Sequence, residues 1–266
     1  MSDRPAAAAA VTGGEIEIRG RVLPASNLTF FGEATLDGAA VRCIYKPIAG
    51  ERPLWDFPDG TLAAREAAAY VVSEVLGWDV VPLTVLREGP AGFGMVQLWC
   101  EPDEDQDPVD IVPVDRVPTG FLHVLDAIDG DGRQVSLVHE DTEALRRMAV
   151  FDAIINNADR KGGHVLAMTD GHRYGVDHGV SFHVDNKLRT VLWGWAAEPL
   201  NSDDRKSMSG LADLLTTSGS GLLTRLEELL EPHEIEAFRG RVQSLITENK
   251  MPLPSGEWPA IPWPAF

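Results

Sequence analysis

The most informative stretch of the chain is residues 156–166, Asn-Asn-Ala-Asp-Arg-Lys-Gly-Gly-His-Val-Leu, followed by Asp-His-Gly at residues 177–179. Between the two pieces lie two short apolar segments that flank Asp170 and Gly171. An Asp-Gly pair between apolar segments is a strong signal for a two-residue hairpin turn. The sequence therefore predicts a short antiparallel ribbon with both motifs at its open end, one on each strand.

A turn at Asp170 and Gly171 fixes which residues of the ribbon face each other. The predicted facing pairs are Thr169 with His172, Leu166 with Gly175, Val165 with Val176, and His164 with Asp177. Side chains that face each other directly have Cβ atoms roughly 4.5–5.5 Å apart. An imidazole and a carboxylate would then converge at the open end of the ribbon, where a divalent cation would fit.

The spacing of Asp159, His164 and Asp177 resembles that of the protein-kinase-like phosphotransferases. Asp-Arg-Lys followed by Asp-His-Gly is similar in particular to the phosphatidylinositol 3- and 4-kinase superfamily, above all to its small bacterial members and to the type II phosphatidylinositol 4-kinases. HipA-type bacterial Ser/Thr kinases are a more distant match. The resemblance implies an α+β, bilobal protein-kinase-like fold with a β-rich N-lobe and a mainly helical C-lobe.

The same resemblance implies catalytic roles for Asp159 and Lys161. Asp159 would orient or deprotonate the hydroxyl acceptor, while Arg160 and Lys161 could offset charge on the γ-phosphoryl group. Either cation could instead bind Asp152 or a backbone carbonyl. The predicted activity is transfer of the ATP γ-phosphate to a hydroxyl acceptor, which could be a protein, a polyol or an inositol-type lipid because substrate choice lies in loops.

His164 departs from the superfamily pattern, which usually has Asn at the second metal position. Neutral imidazole binds divalent ions, but Mg²⁺ prefers oxygen ligands and Mn²⁺ tolerates nitrogen better. We therefore expect ATP with Mg²⁺ or Mn²⁺ as cofactors, and His164 with Asp177 as the metal ligands. Two alternatives stay open: a nucleotide-binding scaffold that no longer transfers phosphate, and nucleotidyl transfer to a protein on the same fold.

A helix predicted over residues 62–76 carries Glu66 on its mostly apolar stripe. A buried, unpaired carboxylate is costly, so Glu66 needs a partner. Lys46, at the end of the preceding strand, is the candidate. Such a Lys-Glu pair positions the α- and β-phosphates in kinase-like sites, and the Tyr-Lys-Pro sequence around Lys46 is similar to the family's lysine motif. The alternative is that both charges face solvent.

The resemblance also assigns the remaining contacts with ATP. The candidate ATP-binding residues are Ser26, Asn27, Lys46, Glu66, Gln97, Leu98 and Trp99. The turn at residues 24–27 would cover the phosphates with backbone N–H groups, although an ordinary connecting loop explains it equally well. Residues 97–99 would form the hinge that meets adenine through backbone groups and an apolar wall, with a core role for the Trp as the alternative.

Composition limits the partners. The chain has 266 residues, 44% of them hydrophobic, and a formal net charge of −18, which opposes binding to polyphosphates and anionic headgroups. We therefore expect no nucleic-acid partner and no stable membrane association. No stretch approaches the roughly 18–20 apolar residues of a membrane span. The Ala-rich start lacks the basic flank of a secretory signal, so a cytoplasmic location is expected.

Four regions are predicted along the chain. Residues 1–13 are small and polar and are expected to be disordered. Residues 14–100 form the N-lobe, with five strands and one helix, and residues 101–110, with six acids and two prolines, form an acidic linker. Residues 111–266 form the C-lobe with the catalytic loop and a Pro/Trp-rich tail. That tail either covers the core or acts as a partner motif.

Overall fold

A five-stranded antiparallel sheet in the order β1-β2-β3-β5-β4 forms the first part of the fold. Its strands are β1 (Glu15–Arg21), β2 (Phe30–Leu36), β3 (Ala39–Pro47), β4 (Thr84–Gly89) and β5 (Gly92–Leu98). The computed structural model describes residues 4–23 and 26–266. The β2–β3 hairpin has a two-residue turn, in which Asp37 and Gly38 both adopt positive φ (50° and 83°).

The disorder expected for residues 1–13 is wrong for residues 4–13, which form helix α1 (Arg4–Gly13). Ala7, Ala10 and Val11 lie on one face of α1 and are buried. Alanine has the highest helix propensity, and this spacing gives a narrow apolar face that packs on the sheet. Arg87 donates to the carbonyl oxygen of Val11 (2.9 Å) and so satisfies the helix end. Helix α1 therefore adds to the first part a helix that precedes residues 14–100, for which the sequence predicted one helix.

Helix α2 (Leu62–Leu76) has the predicted bounds and ends at Gly77 in a left-handed conformation (φ 67°). A side chain from outside the helix caps the N-terminus of α2. The carboxylate of Glu51 accepts hydrogen bonds from the backbone N–H groups of Leu62 (3.1 Å) and Ala63 (2.8 Å). A carboxylate at this position also favours the helix dipole.

The second part is mainly helical but begins with a small sheet. This sheet has the order β6-β8-β7 and consists of β6 (Val109–Pro113), β7 (Phe121–Ile128) and β8 (Gln134–Glu140). The predicted acidic linker therefore ends earlier than expected, because Val109 and Asp110 already belong to β6. The remaining elements are α3 (Glu143–Ile155), β9 (Val165–Ala167), β10 (Arg173–Gly175), α4 (Ser202–Thr216), α5 (Gly221–Glu227) and α6 (Pro232–Glu248).

Two groups of buried side chains hold the fold. The smaller one lies between α1 and the first sheet and includes Val11, Cys43 and Tyr45. The larger one joins α2 to α3 and α6, so the first and second parts share a continuous core. None of the helices in residues 4–23 and 26–266 has the length and apolar character needed to cross a membrane.

Candidate active site

Lys46 and Glu66 meet as the sequence predicts. Lys46 lies near the end of β3, on the face opposite Tyr45, and its Nζ is 2.8 Å from Oε1 of Glu66 on α2. Nζ also contacts Oδ1 of Asp177. Burial works to lower the pKa of Lys46, but the carboxylates of Asp177 and Glu66 outweigh it and raise that pKa above its ordinary value. The lysine is therefore charged and joins two acids from different parts of the fold.

The loop after α3 that carries Asp159, called the catalytic loop because the sequence predicts that role, is fixed by a buried carboxylate on α3. Asp152 is fully buried and accepts hydrogen bonds from Asn157 Nδ2 (2.9 Å) and from Nε and Nη2 of Arg160 (2.8 and 2.9 Å). Arg160 also donates to the carbonyl oxygens of His164 and Val176, both at 3.0 Å. The alternative role for Arg160 is therefore the correct one: its guanidinium is buried and does not face the site.

Asp159 and Lys161 lie on the open side of this loop. Lys161 Nζ is 3.3 Å from Oδ2 of Asp159, and Nη2 of Arg189 is 3.9 Å from Oδ1. About a quarter of the Asp159 side chain is exposed (27%), so its carboxylate is open to an incoming group. Asn157 Oδ1 accepts from the Asp159 backbone N–H (3.0 Å), which anchors the loop beside the carboxylate.

The predicted register of the hairpin is wrong by one residue. Leu166 pairs with Tyr174 and Val165 with Gly175, and the backbone N–H of Met168 donates to the carbonyl oxygen of His172 (2.9 Å). The turn is therefore a three-residue loop that ends at Gly171 (φ 88°), not a two-residue loop. A glycine in the left-handed region is typical of this hairpin type.

His164 and Asp177 nevertheless converge as predicted, with His164 Nε2 3.4 Å from Asp177 Oδ2. Asp177 has left strand pairing and adopts a left-handed φ of 59°, which turns its side chain toward the imidazole. His164 Nδ1 donates to the carbonyl oxygen of Asp159 (3.0 Å), so the lone pair of the neutral ring is on Nε2 and faces the carboxylate. Burial lowers the pKa of His164, while the nearby Asp177 opposes that shift.

Charge and backbone contacts hold Asp177 in place. The Lys46 ammonium is the main cause that holds the pKa of Asp177 below its usual range, and burial works against it. The next residue, His178, donates its backbone N–H to Oε2 of Glu66 (2.9 Å), and its ring accepts from Arg160 Nη2 (2.6 Å). Burial first, and then Arg160, hold the pKa of His178 well below its ordinary value, so this ring is neutral.

The predicted hinge residues are engaged within the protein. The backbone N–H of Leu98 donates to Leu83 (2.9 Å), and that of Trp99 donates to Arg42 (3.0 Å). Gln97 is buried, and its Nε2 donates to Thr84 Oγ1 (2.8 Å). The backbone N–H groups of Leu98 and Trp99 are thus unavailable as adenine donors. The sequence pattern alone does not show these hydrogen bonds, because it does not tell whether β5 stays paired up to its last residue.

Trp99 and Asn27 also have local partners. The Trp99 ring packs edge-on against Phe31, with ring centres 5.2 Å apart, but both side chains are only partly buried, so Trp99 is not the core residue that the alternative predicted. Asn27 Oδ1 accepts from the backbone N–H of Arg52 (2.8 Å), so this side chain serves the loop. Pro24 and Ala25 of the predicted phosphate-covering turn lie outside the described residues. Ser26 and Asn27 make no hydrogen bond to the charged cluster within the part of the chain that the structure describes.

Several residues near the catalytic loop were not predicted as neighbours. Lys187 pairs with Asp56 and lies 4.7 Å from the ring centres of both Trp55 and Trp258. The Pro/Trp-rich tail runs along the catalytic loop, where Ala265 accepts a hydrogen bond from Gly162 (2.8 Å). The tail thus covers the second part of the fold, as one of its two interpretations predicted. These contacts join residues far apart in sequence, so no local pattern indicates them.

Taken together, the fold and the site define a mixed α/β protein in which Lys46, Glu66, His164 and Asp177 form one contact cluster. No protein-family model matches the chain. Protein Rv2133c of Mycobacterium tuberculosis (strain ATCC 25618 / H37Rv) is 52% identical over 267 aligned positions, which cover 97% of this chain and 95% of that protein. The chain therefore belongs to the family of Protein Rv2133c.

Among solved structures, the crystal structure of the Helicobacter pylori proinflammatory kinase CtkA is similar, with a TM-score of 0.47 and 11% identity. The similarity covers 90% of this chain and 94% of that chain. A likeness of this size is too weak to assign a fold or an activity.

Proposed function

We propose that this protein is an ATP-dependent phosphotransferase of the kinase type, which uses a divalent metal ion and passes the γ-phosphoryl group to a hydroxyl acceptor. The observation that carries the proposal is the contact of Lys46 with Glu66 and Asp177 beside the free lone pair of His164. Four separate segments of the chain converge to form this cluster. A lysine shared by two acids, one of which faces a neutral imidazole, fits phosphate and metal binding better than a purely structural network.

On the nucleotide side, Lys46 would hold the α- and β-phosphates, and Glu66 would keep its ammonium group in place. Glu66 is suited to that role because it is buried (3% exposed) and its second oxygen is already occupied by the His178 backbone N–H. The carboxylate can therefore neither rotate freely nor turn toward solvent. Lys46 would exchange its contact with Asp177 for phosphate oxygens when nucleotide enters.

The donor set of His164 and Asp177 fits a divalent ion. His164 Nε2 and Asp177 Oδ2 lie 3.4 Å apart, and both are acceptors when the ring is neutral. Neither atom then carries a proton that could form a hydrogen bond between them. Among the described residues there is no cluster of three or more potential protein ligands, so water and phosphate oxygens would complete the shell. A bound ion would neutralise charge on the phosphates.

The nitrogen ligand predicts a metal preference. Because His164 supplies nitrogen, we expect Mn²⁺ to support nucleotide binding better than Mg²⁺. His164→Asn supplies an oxygen instead and should shift the preference toward Mg²⁺. If this variant keeps the wild-type preference, His164 is not a ligand.

On the acceptor side, Asp159 would orient the acceptor hydroxyl and take up its proton, while Lys161 would offset charge on the transferred group. The partial exposure of Asp159 and its anchored backbone support this role. The Lys161–Asp159 contact, at 3.3 Å, also keeps a cation next to the carboxylate before any substrate is present.

The nucleotide half of the proposal is tested by thermal shift with ATP and Mn²⁺. Asp177→Ala should abolish the shift, because the variant loses a charged metal ligand. Asp203→Ala, an exposed acid on α4, is the matched control and should shift like the wild type. An unchanged shift in Asp177→Ala would remove Asp177 from the site.

The transfer half is tested by turnover of labelled ATP with inositol-type lipids, soluble polyols and protein lysates. Asp159→Asn should keep ATP affinity but lower turnover by roughly 10² or more, the scale of a lost general base. Retained turnover would contradict the role of Asp159. Binding without turnover in the wild type, across metals and acceptors, would favour the nucleotide-binding scaffold, and nucleotide-sized mass shifts on a protein product would favour nucleotidyl transfer.

A further inference from the structure

Two neighbouring residues of α2 hold the backbone that follows Asp177. Glu66 Oε2 accepts from the backbone N–H of His178 (2.9 Å), and Arg65 Nη1 donates to the carbonyl oxygen of Ser181 (2.6 Å). Both side chains are buried. The segment 178–181 is therefore attached at each end to the first two turns of α2.

The middle of this segment lies directly on the helix. A Cβ atom built on Gly179 would lie 3.3 Å from Leu62 Cβ and 3.4 Å from the Leu62 carbonyl oxygen, so the segment is in close contact with the helix. Asp177 and Phe182, at either side of the segment, both adopt positive φ (59° and 64°). Such backbone conformations of non-glycine residues cost about 1 kcal/mol or more each and persist only where surrounding contacts enforce them.

Arg65 is itself held from the far side of the fold. Its Nη2 pairs with Oε1 of Glu234 on α6, and its guanidinium lies 4.8 Å from the ring centre of Phe57. The second oxygen of Glu234 accepts from the backbone N–H of Glu231 (3.0 Å), which closes the N-terminal capping box of α6. Arg65 thus joins α2, α6 and the segment after Asp177 at one point.

A buried ion pair is a weak stabilising device, because the desolvation of both charges offsets most of their attraction. Arg65 and Glu234 are only 1% and 5% exposed, so the full desolvation applies. An apolar pair would hold the helices together equally well. What an apolar pair cannot do is donate a hydrogen bond to the Ser181 carbonyl oxygen, and this contact is the one that reaches the candidate site.

We propose that Arg65 and Glu234 are a positioning pair, which fixes the segment 178–181 against α2 and thereby aims Asp177 and Glu66 into the candidate site. The importance of the pair for activity rests on the proposed function, whereas the positioning itself does not. With the pair in place, α2 cannot rotate away from Asp177 without breaking a buried ion pair. The site is therefore assembled before any nucleotide or metal ion binds.

The test compares three variants by hydrogen exchange of a peptide that covers residues 177–182, followed by mass spectrometry. Arg65→Met removes the guanidinium but keeps an apolar stem over Phe57. Arg65→Lys keeps the charge opposite Glu234, but one ammonium group cannot also span to Ser181. Arg225→Met is the matched control. It breaks an exposed ion pair between Arg225 of α5 and Glu74 in the last turn of α2 (2.6 Å).

Both Arg65 variants should exchange this peptide about tenfold faster than the wild type, while Arg225→Met should not. Arg65→Lys should keep most of the thermal stability, so that faster exchange in this variant reports positioning and not unfolding. In both Arg65 variants the affinity for ATP with Mn²⁺ should fall roughly 10- to 100-fold, which is the usual effect of removing a residue that supports a metal ligand. Their affinity for ATP without metal should change by less than about twofold.

Unchanged hydrogen exchange in a folded Arg65→Lys protein would overturn the positioning role. Equally faster exchange of this peptide in Arg225→Met would also overturn it, because that result would indicate general loosening of α2. If Arg65→Met does not fold, Glu234→Gln replaces it, because Gln can still cap α6 but leaves Arg65 without its counter-charge. Faster exchange together with absent nucleotide binding in the wild type would sink the proposed function and leave the positioning pair standing.

Discussion

Lys46→Met should change metal and nucleotide affinity in opposite directions. In the ligand-free protein the Lys46 ammonium contacts Oδ1 of Asp177, the carboxylate that we assign to the metal. A cation that enters must displace this contact and tolerate the ammonium nearby. Without Lys46, bare Mn²⁺ should bind more tightly, whereas ATP should lose the group that meets its phosphates.

The magnitudes follow from charge and exposure. Two unit charges about 4 Å apart interact by about 4 kcal/mol at an effective dielectric constant of 20. Because 46% of the Asp177 side chain is exposed, solvent screening reduces this to about 1–2 kcal/mol. Mn²⁺ affinity should therefore rise about tenfold. A hydrogen bond to a charged group contributes about 1.5–3 kcal/mol, so ATP affinity should fall roughly 10- to 100-fold.

Isothermal titration calorimetry with MnCl₂ alone, and then with ATP in excess Mn²⁺, measures both effects. Lys187→Met is the matched control, since Lys187 also has a carboxylate partner, Asp56, and contacts neither metal ligand. The control should leave Mn²⁺ affinity unchanged. Weaker or unchanged Mn²⁺ binding in folded Lys46→Met would refute the competition between Lys46 and metal for Asp177.

Three further predictions concern the loop, pH and the metal. A Cβ on Gly162 would overlap with the ring of Phe266, so Gly162→Ala should cost about 1–2 kcal/mol in urea unfolding. Phe266→Ala in the same chain should recover part of this loss, and additive losses would refute the clash. Burial lowers the pKa of His139, whose Nε2 accepts from the Gly194 backbone N–H (2.9 Å). Because only the unfolded state then takes up this proton, the free energy of unfolding should fall as pH drops below about 6.5, by at most about 1.4 kcal/mol per pH unit. His139→Gln should flatten that slope, and an unchanged slope in this variant would contradict the role of His139. Chelation of divalent ions should weaken ATP binding at least about tenfold by calorimetry, and metal-independent binding would exclude the proposed metal role.

The sequence predicted the convergence of His164 and Asp177 from a register that the structure does not have, and the two side chains converge for a different reason. Asp-Gly marks the position of a turn but not its length, and here Gly171 is the third residue of the loop. The one-residue slip would separate the two side chains in a regular ribbon. It does not, because Asp177 lies beyond the last paired residue, Gly175, and its left-handed backbone redirects the side chain.

Other parts of the site could not be derived from local patterns. Arg65 and Glu234 lie 169 positions apart, and their two charges read as ordinary surface residues of two amphipathic helices. The Lys46–Glu66 pair could be predicted from the sequence, because a buried carboxylate on an apolar stripe needs a cation and the strand before the helix supplies one. For Arg65 the same reasoning leaves dozens of acids as candidates, so only the tertiary fold selects Glu234.

Charge explains how a strongly acidic chain could still take a polyanionic nucleotide. In the cluster, Lys46 carries one positive charge, Glu66 and Asp177 carry one negative charge each, and neutral His164 adds none, so the cluster is negative by one charge overall. ATP phosphates would meet net repulsion there unless a divalent ion enters first or together with them. The ion would thus form part of the binding surface itself. Nucleic acid brings many phosphates spread over a long surface, and we expect the net charge of −18 to oppose its binding.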